Sequence, residues 1–171
     1  MGIIARLLKK VFRLMPPPPP GAGFQDQNPW CVAPTRDAAR FLRALPFLFP
    51  TEAVACFEGT ARRFGNWVQW HALDEPLKIA PGTIWPKTIM YHVPLTVQLM
   101  TEAADLIERE GLAPAVHVYV HDRRHVLLWW PDAFCDDPIW VDSSISEQRV
   151  TAFALALGHD AVSRTSLTFE T

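Results

Sequence analysis

The chain reads as a single α+β domain, with a mainly antiparallel sheet carrying three to four packed helices. Two observations predict this class. Residues 115–157, AVHVYVHDRRHVLLWWPDAFCDDPIWVDSSISEQRVTAFALAL, run strand, turn, strand, loop, strand, helix. Two amphipathic helical patterns precede them, at 35–45 and 94–110. The domain is expected over 29–168, behind a tail at 1–20.

The tail begins MGIIARLLKKVFRLM. On a helix, Ile4, Leu7, Leu8, Val11 and Met15 share one face, and Arg6, Lys9, Lys10 and Arg13 lie mostly on the other. A basic amphipathic helix suits an anionic membrane surface or a partner protein. Charges interrupt the apolar run, so no secretory signal forms. Arg6 stands where a myristoylation signal on Gly2 would have Ser or Thr. Five prolines at 16–20 make a stiff spacer. The competing reading is a dispensable extension, since Met15 could itself be a start.

In the body, Thr35 can cap a helix to Leu45 with Ala38, Phe41, Leu42 and Leu45 inward. Pro46 and Pro50 bracket Phe47, Leu48 and Phe49. Residues 53–57 fit a strand or a helix start; the strand is preferred, closed by Gly59. A helix over 60–71 turns Phe64, Trp67 and Val68 inward. Residues 77–80 and 84–91 read as strands, the second weakened by Pro86. The helix at 94–110 carries a stripe of Leu95, Leu99, Ala103, Leu106 and Ile107 and ends at Gly111.

Val116, Val118 and Val120 alternate with His117, Tyr119 and His121, which defines two faces of a strand. Val126 to Trp130 should pair with it as a hairpin. The turn lacks the Asn-Gly or Asp-Gly of a two-residue loop, so the register stays open. A two-residue loop groups Val118 and Val120 with Leu127 and Trp129. A three-residue loop groups the valines with Val126, Leu128 and Trp130. Ile139 to Val141 is a third strand. Ser144 and Glu147 match a capping box. Val150, Phe153, Ala154 and Leu157 then form one helical face, with Gly158 as C-terminal cap.

Charge narrows the function classes. The first 20 residues hold four basic groups and no acid, while the rest holds 12 basic and 18 acidic residues. An acidic body excludes general nucleic-acid binding, which needs a basic footprint. It fits a basic protein partner. No apolar run approaches the roughly 20 residues of a membrane span. Cys31, Cys56 and Cys135 are scattered, and no CxxC occurs, so neither a disulfide framework nor a zinc ribbon is indicated. A reducing, cytoplasmic setting is expected, with the tail able to touch the inner membrane surface.

Catalytic signals are weak. His117, His121 and His125 are spaced by four, but on a strand His117 and His121 stand about 13 Å apart, too far for one metal. Asp132, Asp136, Asp137 and Asp142 crowd the loops around the third strand. They lack the order of a calcium loop and suit turn capping. Asp136 beside Cys135 would raise, not lower, that thiol's pKa. There is no G-x-S-x-G and no phosphate loop. No catalytic, cofactor or metal residue is assigned.

The leading expectation is therefore a non-catalytic interaction domain of immunity or regulatory-adaptor type. Its partner surface would use Trp129, Trp130, Asp132, Asp136, Asp137, Glu102 and Asp105. The simpler reading of Glu102, Asp105 and Glu108 is a solvated helix face, and of the two tryptophans a sheet covered on both faces. One alternative is a small metal-dependent or hydrolytic enzyme using His117, His121 and the loop from Asp132 to Asp142. Another is a membrane-surface accessory protein held by Arg6, Lys9, Lys10 and Arg13.

Overall fold

Period-two alternation sorts strand residues onto two sheet faces, one holding the main apolar core and the other a smaller cluster mixed with polar groups. The computed structural model describes residues 24, 26, 28–49, 52–60, 62–74, 89–111, 114–122 and 125–164. Its strands are β1 (Trp30–Val32), β2 (Val54–Glu58), β3 (Met90–Pro94), β4 (His117–His121), β5 (Val126–Trp130), β6 (Ile139–Val141) and β7 (Ser163–Arg164). They form one sheet in the order β3-β2-β4-β5-β6-β1-β7, antiparallel at each pairing. The helices are α1 (Ala38–Leu48), α2 (Arg62–His71), α3 (Val97–Glu110) and α4 (Glu147–Leu157). The molecule is thus α+β, as the sequence predicts. The expected strand at 77–80, most of that at 84–91, and the tail lie outside the described residues.

Phe57, Val93, Val118, Val120, Leu128, Trp130, Ile139 and Val141 share the apolar face. All four helices bury their inward residues in the same core. Phe41 sits near its centre, with ring centroids 4.8 Å from Trp130 and 6.0 Å from Phe153. Val150, Phe153, Ala154 and Leu157 are all buried, as the helical period requires.

Several local expectations are corrected. The α1 cap is Asp37, whose carboxylate accepts from the Arg40 amide at 2.9 Å. Thr35 lies two residues too early and accepts from the Asp37 amide instead. The helix also runs past Pro46 to Leu48. A proline in the last turn removes only one backbone donor, and burial of Leu48 and Phe49 holds the turn in place. On α3 the buried set is Met100, Ala103, Ala104 and Ile107, so the stripe is rotated and leaves Leu99 and Leu106 half-buried. The α4 cap is Ser146, not Ser144, and makes no side-chain cap bond. Asp142 accepts from the Ser144 amide at 2.9 Å, holding Ser144 in the preceding turn.

The hairpin register is also fixed. Val118 pairs with Trp130 and Val120 with Leu128, the grouping expected of a three-residue loop. A bulge between Val120 and His121 then shifts the pairing. Val126 consequently falls opposite His121 and joins Cys56 and Tyr119 on the other face. β1 and β7 have no clear sequence pattern, being three and two residues long.

Candidate functional site

The non-helical face of β2, β3 and β4 carries most of the chain's chemistry. Alternation puts Cys56 and Glu58 on this face of β2, His92 on β3, and His117, Tyr119 and His121 on β4. Register then brings them together. Cys56 lies opposite both His92 and Tyr119, and Glu58 lies opposite His117. Every one of these side chains is buried, Glu58 to 1% exposure. Buried polar groups must find partners, so their hydrogen bonds define the site.

The bonds form a directed chain. His121 Nδ1 lies 2.7 Å from the Asp122 carbonyl oxygen. A carbonyl only accepts, so His121 Nδ1 carries the proton and Nε2 holds a lone pair. His92 Nδ1 lies 3.0 Å from that Nε2, so it must be the donor. His92 Nε2 is left as an acceptor, and the Cys56 sulfur stands 3.8 Å from it. The thiol therefore donates to His92, His92 to His121, and His121 to Asp122.

Electrostatics keep this chain neutral. Burial, with the neighbouring His121, pushes His92 down to about 4. Burial also lowers His121, although the Asp122 carbonyl opposes this. The Cys56 thiol is pushed far up by burial and by the Glu58 charge. Tyr119 is raised by the same two causes, its hydroxyl 3.5 Å from Glu58 Oε2. A nucleophilic cysteine needs an aligned base and a stabilised thiolate. Here the base is aligned and the thiolate is not stabilised.

His117 belongs to a separate limb of this face. Its Nδ1 accepts from the Asp132 amide at 3.0 Å, so Nε2 bears the proton. That Nε2 is buried and has no hydrogen-bond partner. The bond ties β4 to the turn at 131–137, where Asp132 (φ 44°) and Phe134 (φ 66°) are left-handed. Phe134 packs 4.6 Å from the Trp130 ring, and this contact offsets the strain. His117 and His121 share a face but enter different networks. Among the described residues, no group of three or more His, Cys, Asp or Glu side chains could hold a metal ion.

The expected partner residues divide. Trp130 is corrected: it is fully buried, its indole N–H donating to the Asp137 carbonyl at 2.8 Å, and it cannot meet a partner. The register turns it into the helix-covered core. Trp129 is half-buried on the other face, 6.2 Å from the Phe24 ring. Asp132, Asp136 and Asp137 are exposed, and Asp136 pairs with Arg36 at 3.1 Å. Glu102 accepts from Gln98 at 3.0 Å. Asp105 and Glu108 both bind Arg43 at 2.6 Å, which holds the Glu108 carboxyl below its usual range. Arg6, Lys9, Lys10 and Arg13 lie outside the described residues.

Two of the separated acidic stretches therefore meet at α1 and the residue before its cap. Arg40, Arg43 and Phe47 recur at helical spacing along the outer side of α1, and Arg36 stands just before its cap. Arg36 reaches Asp136, and Arg43 reaches α3. Arg40 donates to the Ala156 carbonyl near the end of α4. Gly158 caps α4 at φ 91°, and a Cβ there would come within 3.1 Å of the Arg40 guanidinium. Beside these contacts runs an open groove of about 400 Å³, lined by Asp37, Arg40, Arg43, Ala44, Phe47, Glu108 and Ala156. Phe47 is 70% exposed, and Trp70 on α2 is 87% exposed.

Neither surface residue was among those selected from the sequence. The helical period of α1 already puts Phe47 in line with Arg40 and Arg43, but Pro46 suggested that the helix ended first. The polar chain carried no local signal, because Cys56, His92 and His121 meet only through strand pairing. No helix among the described residues is long and apolar enough to cross a membrane. No protein-family model matches the chain, and no curated protein or solved structure gives a significant match.

Proposed function

We propose that this chain is a non-catalytic interaction domain, of immunity or regulatory-adaptor type, that binds another protein along the outer side of α1. The observation that carries the reading is the open groove between α1, α3 and α4, with the exposed Phe47 ring on its wall. An exposed aromatic beside a small-residue floor is a typical anchor point. Ala44 and Ala156 supply that floor. Asp37 and Glu108 face Arg40 and Arg43 across the lining, so the charged rim can pair with polar or charged side chains of a partner of either sign. The closed, neutral state of the Cys56 cluster supports a binding role over a catalytic one. Its three free cysteines fit a reducing, cytoplasmic setting.

Phe47→Asp tests the reading. Both the wild type and the variant should unfold at the same denaturant concentration, since Phe47 is exposed. Capture of a partner from the native host should fall at least about tenfold, the scale of an interface hot spot. Trp70→Asp, an exposed aromatic outside the groove, is the control and should bind normally. Loss with Trp70→Asp and retention with Phe47→Asp would contradict the reading.

A second reading concerns the tail, on the strength of its basic amphipathic pattern. Residues 1–15 would hold the domain peripherally on an anionic membrane, with Arg6, Lys9, Lys10 and Arg13 facing the headgroups. Full-length protein should sediment with anionic vesicles at low salt, and protein lacking residues 1–20 should not. Equal sedimentation of both would remove this role.

A further inference from the structure

We propose that the Cys56–His92–His121 chain is an acid-sensitive lock, which fastens β3 to β2 and β4 at neutral pH and releases it when either imidazole gains a second proton. This goes beyond the interaction reading and does not depend on it.

The argument starts from the proton inventory. The four ring nitrogens divide into two donors and two acceptors, and all four are committed. His121 Nδ1 donates to Asp122, and His92 Nδ1 donates to His121. Only the two Nε2 atoms can take another proton. On His121, that proton would face the His92 N–H across 3.0 Å. On His92, it would face the Cys56 thiol across 3.8 Å, turning an acceptor into a donor and leaving only sulfur, a weak acceptor, to receive it. The first event breaks the link between β3 and β4, and the second the link between β3 and β2.

The surroundings decide whether a charge could be tolerated. β2 presents Cys56 and Glu58, and β4 presents His117 and Tyr119 beside His121. From β5 come Val126 and Trp129, and from the N-terminal side Phe24; none of these titrates. The helices pack on the opposite face. Glu58 and Asp122 are the anions among the described residues here. The Asp122 carboxylate receives the His125 amide at 2.8 Å and lies 3.4 Å from its ring, and Glu58 lies against Tyr119. Burial dominates: it pushes His92 down to about 4 and lowers His121 against the opposing pull of Asp122.

The consequence is local. β3 ends the described sheet order and pairs with β2 alone among the strands. The cluster of Phe41, Trp130 and Phe153 lies under other strands and the helices, and contains no titratable group. Loosening β3 should therefore uncover Cys56 before the domain unfolds.

Thiol labelling of the full chain tests this. A pyridyl disulfide, which reacts with thiols in acid as well as at neutral pH, is applied from pH 7.5 to 4. Peptide mapping separates Cys56 from the exposed Cys135 and the half-buried Cys31. Cys56 should be protected at pH 7, and its labelling should rise at least about tenfold before the far-ultraviolet circular dichroism changes, as local opening requires. Protection down to pH 4, or exposure only together with global unfolding, would overturn the lock. Nitrogen-15 NMR of the unaltered protein gives a second reading. Both histidines should carry the proton on Nδ1, with His92 titrating at about 4 and His121 below 6.5. A proton on Nε2 of either, or titration near 6.5, would also overturn it.

Discussion

Trp129 and Trp130 are neighbours on β5, and each belongs to a different kind of interior. Trp130 faces the helices, at 0% exposure among Phe41, Phe134 and aliphatic side chains. Trp129 faces the side of Cys56 and Tyr119, half-buried against Phe24. The same contrast runs through β2 and β4. Ala55, Phe57, Val118 and Val120 point one way, and Cys56, Glu58, His117, Tyr119 and His121 point the other. One face is held by volume, where loss of any atom leaves a cavity. The other is held by the direction of its protons, where gain of a single proton leaves two donors face to face. Alternation lets one strand serve both requirements without compromise.

The largest expected effect is on the packed face. Trp130→Ala should cost about 3–5 kcal/mol, the range for removing a large core aromatic. Phe153→Ala should fall in the same range, because its ring abuts Phe41 at the centre of the core. Trp129→Ala should cost less than half as much as Trp130→Ala. Urea unfolding of the three variants measures this, and equal losses at 129 and 130 would erase the distinction between faces.

An intermediate effect is expected on the polar face. His121→Leu removes the acceptor for His92 Nδ1–H and the donor to the Asp122 carbonyl. Leaving buried groups unpaired costs about 1–3 kcal/mol. Cys56→Ala should cost less, since a thiol is a weak donor. The two variants sharpen the comparison. If Cys56→Ala were the more damaging, cavity formation rather than hydrogen bonding would govern this face.

The smallest effect is expected at the surface. Arg43→Ala removes two ion pairs that stand in solvent, and such pairs are strongly screened. The unfolding midpoint should hardly move. The Glu108 carboxyl should nevertheless titrate at higher pH, because the guanidinium that holds it down is gone. Carbon-13 NMR of the carboxyl follows this directly. An unchanged titration would show that Arg43 does not neutralise the groove rim in solution.

These regions also differed in how far they could be read from sequence. The core helix at 147–157 and the strand at 117–121 are legible from a period of 3.6 and of 2, and the strands at 126–130 and 139–141 from short apolar runs bounded by turn residues. Cap positions slipped by two residues at both Asp37 and Ser146, where several neighbouring side chains could serve. The hairpin face was undecided until the bulge at Val120 and His121 resolved it. The histidine chain was invisible for a different reason. Its members lie 36 and 29 residues apart along the chain and meet only through long-range pairing. A local reading ranked His117 with His121 because they are close in sequence, whereas the fold gives His121 to His92 and His117 to Asp132.

Unfolding free energy measured against pH, for wild type, Trp130→Ala and His121→Leu together, tests the two-face account most directly. An imidazole held below its unfolded value near 6.5 stabilises the fold fully above that pH. Between 6.5 and about 4, the range set by His92, the unfolded chain binds more protons, so stability must fall as pH falls. The slope approaches about 1.4 kcal/mol per pH unit for each such proton. Trp130→Ala should lower the whole curve and keep its shape. His121→Leu should flatten the acid limb, since one buried imidazole is gone. A wild-type curve that is level from pH 6.5 to 4, or an acid limb equally steep in His121→Leu, would contradict the account.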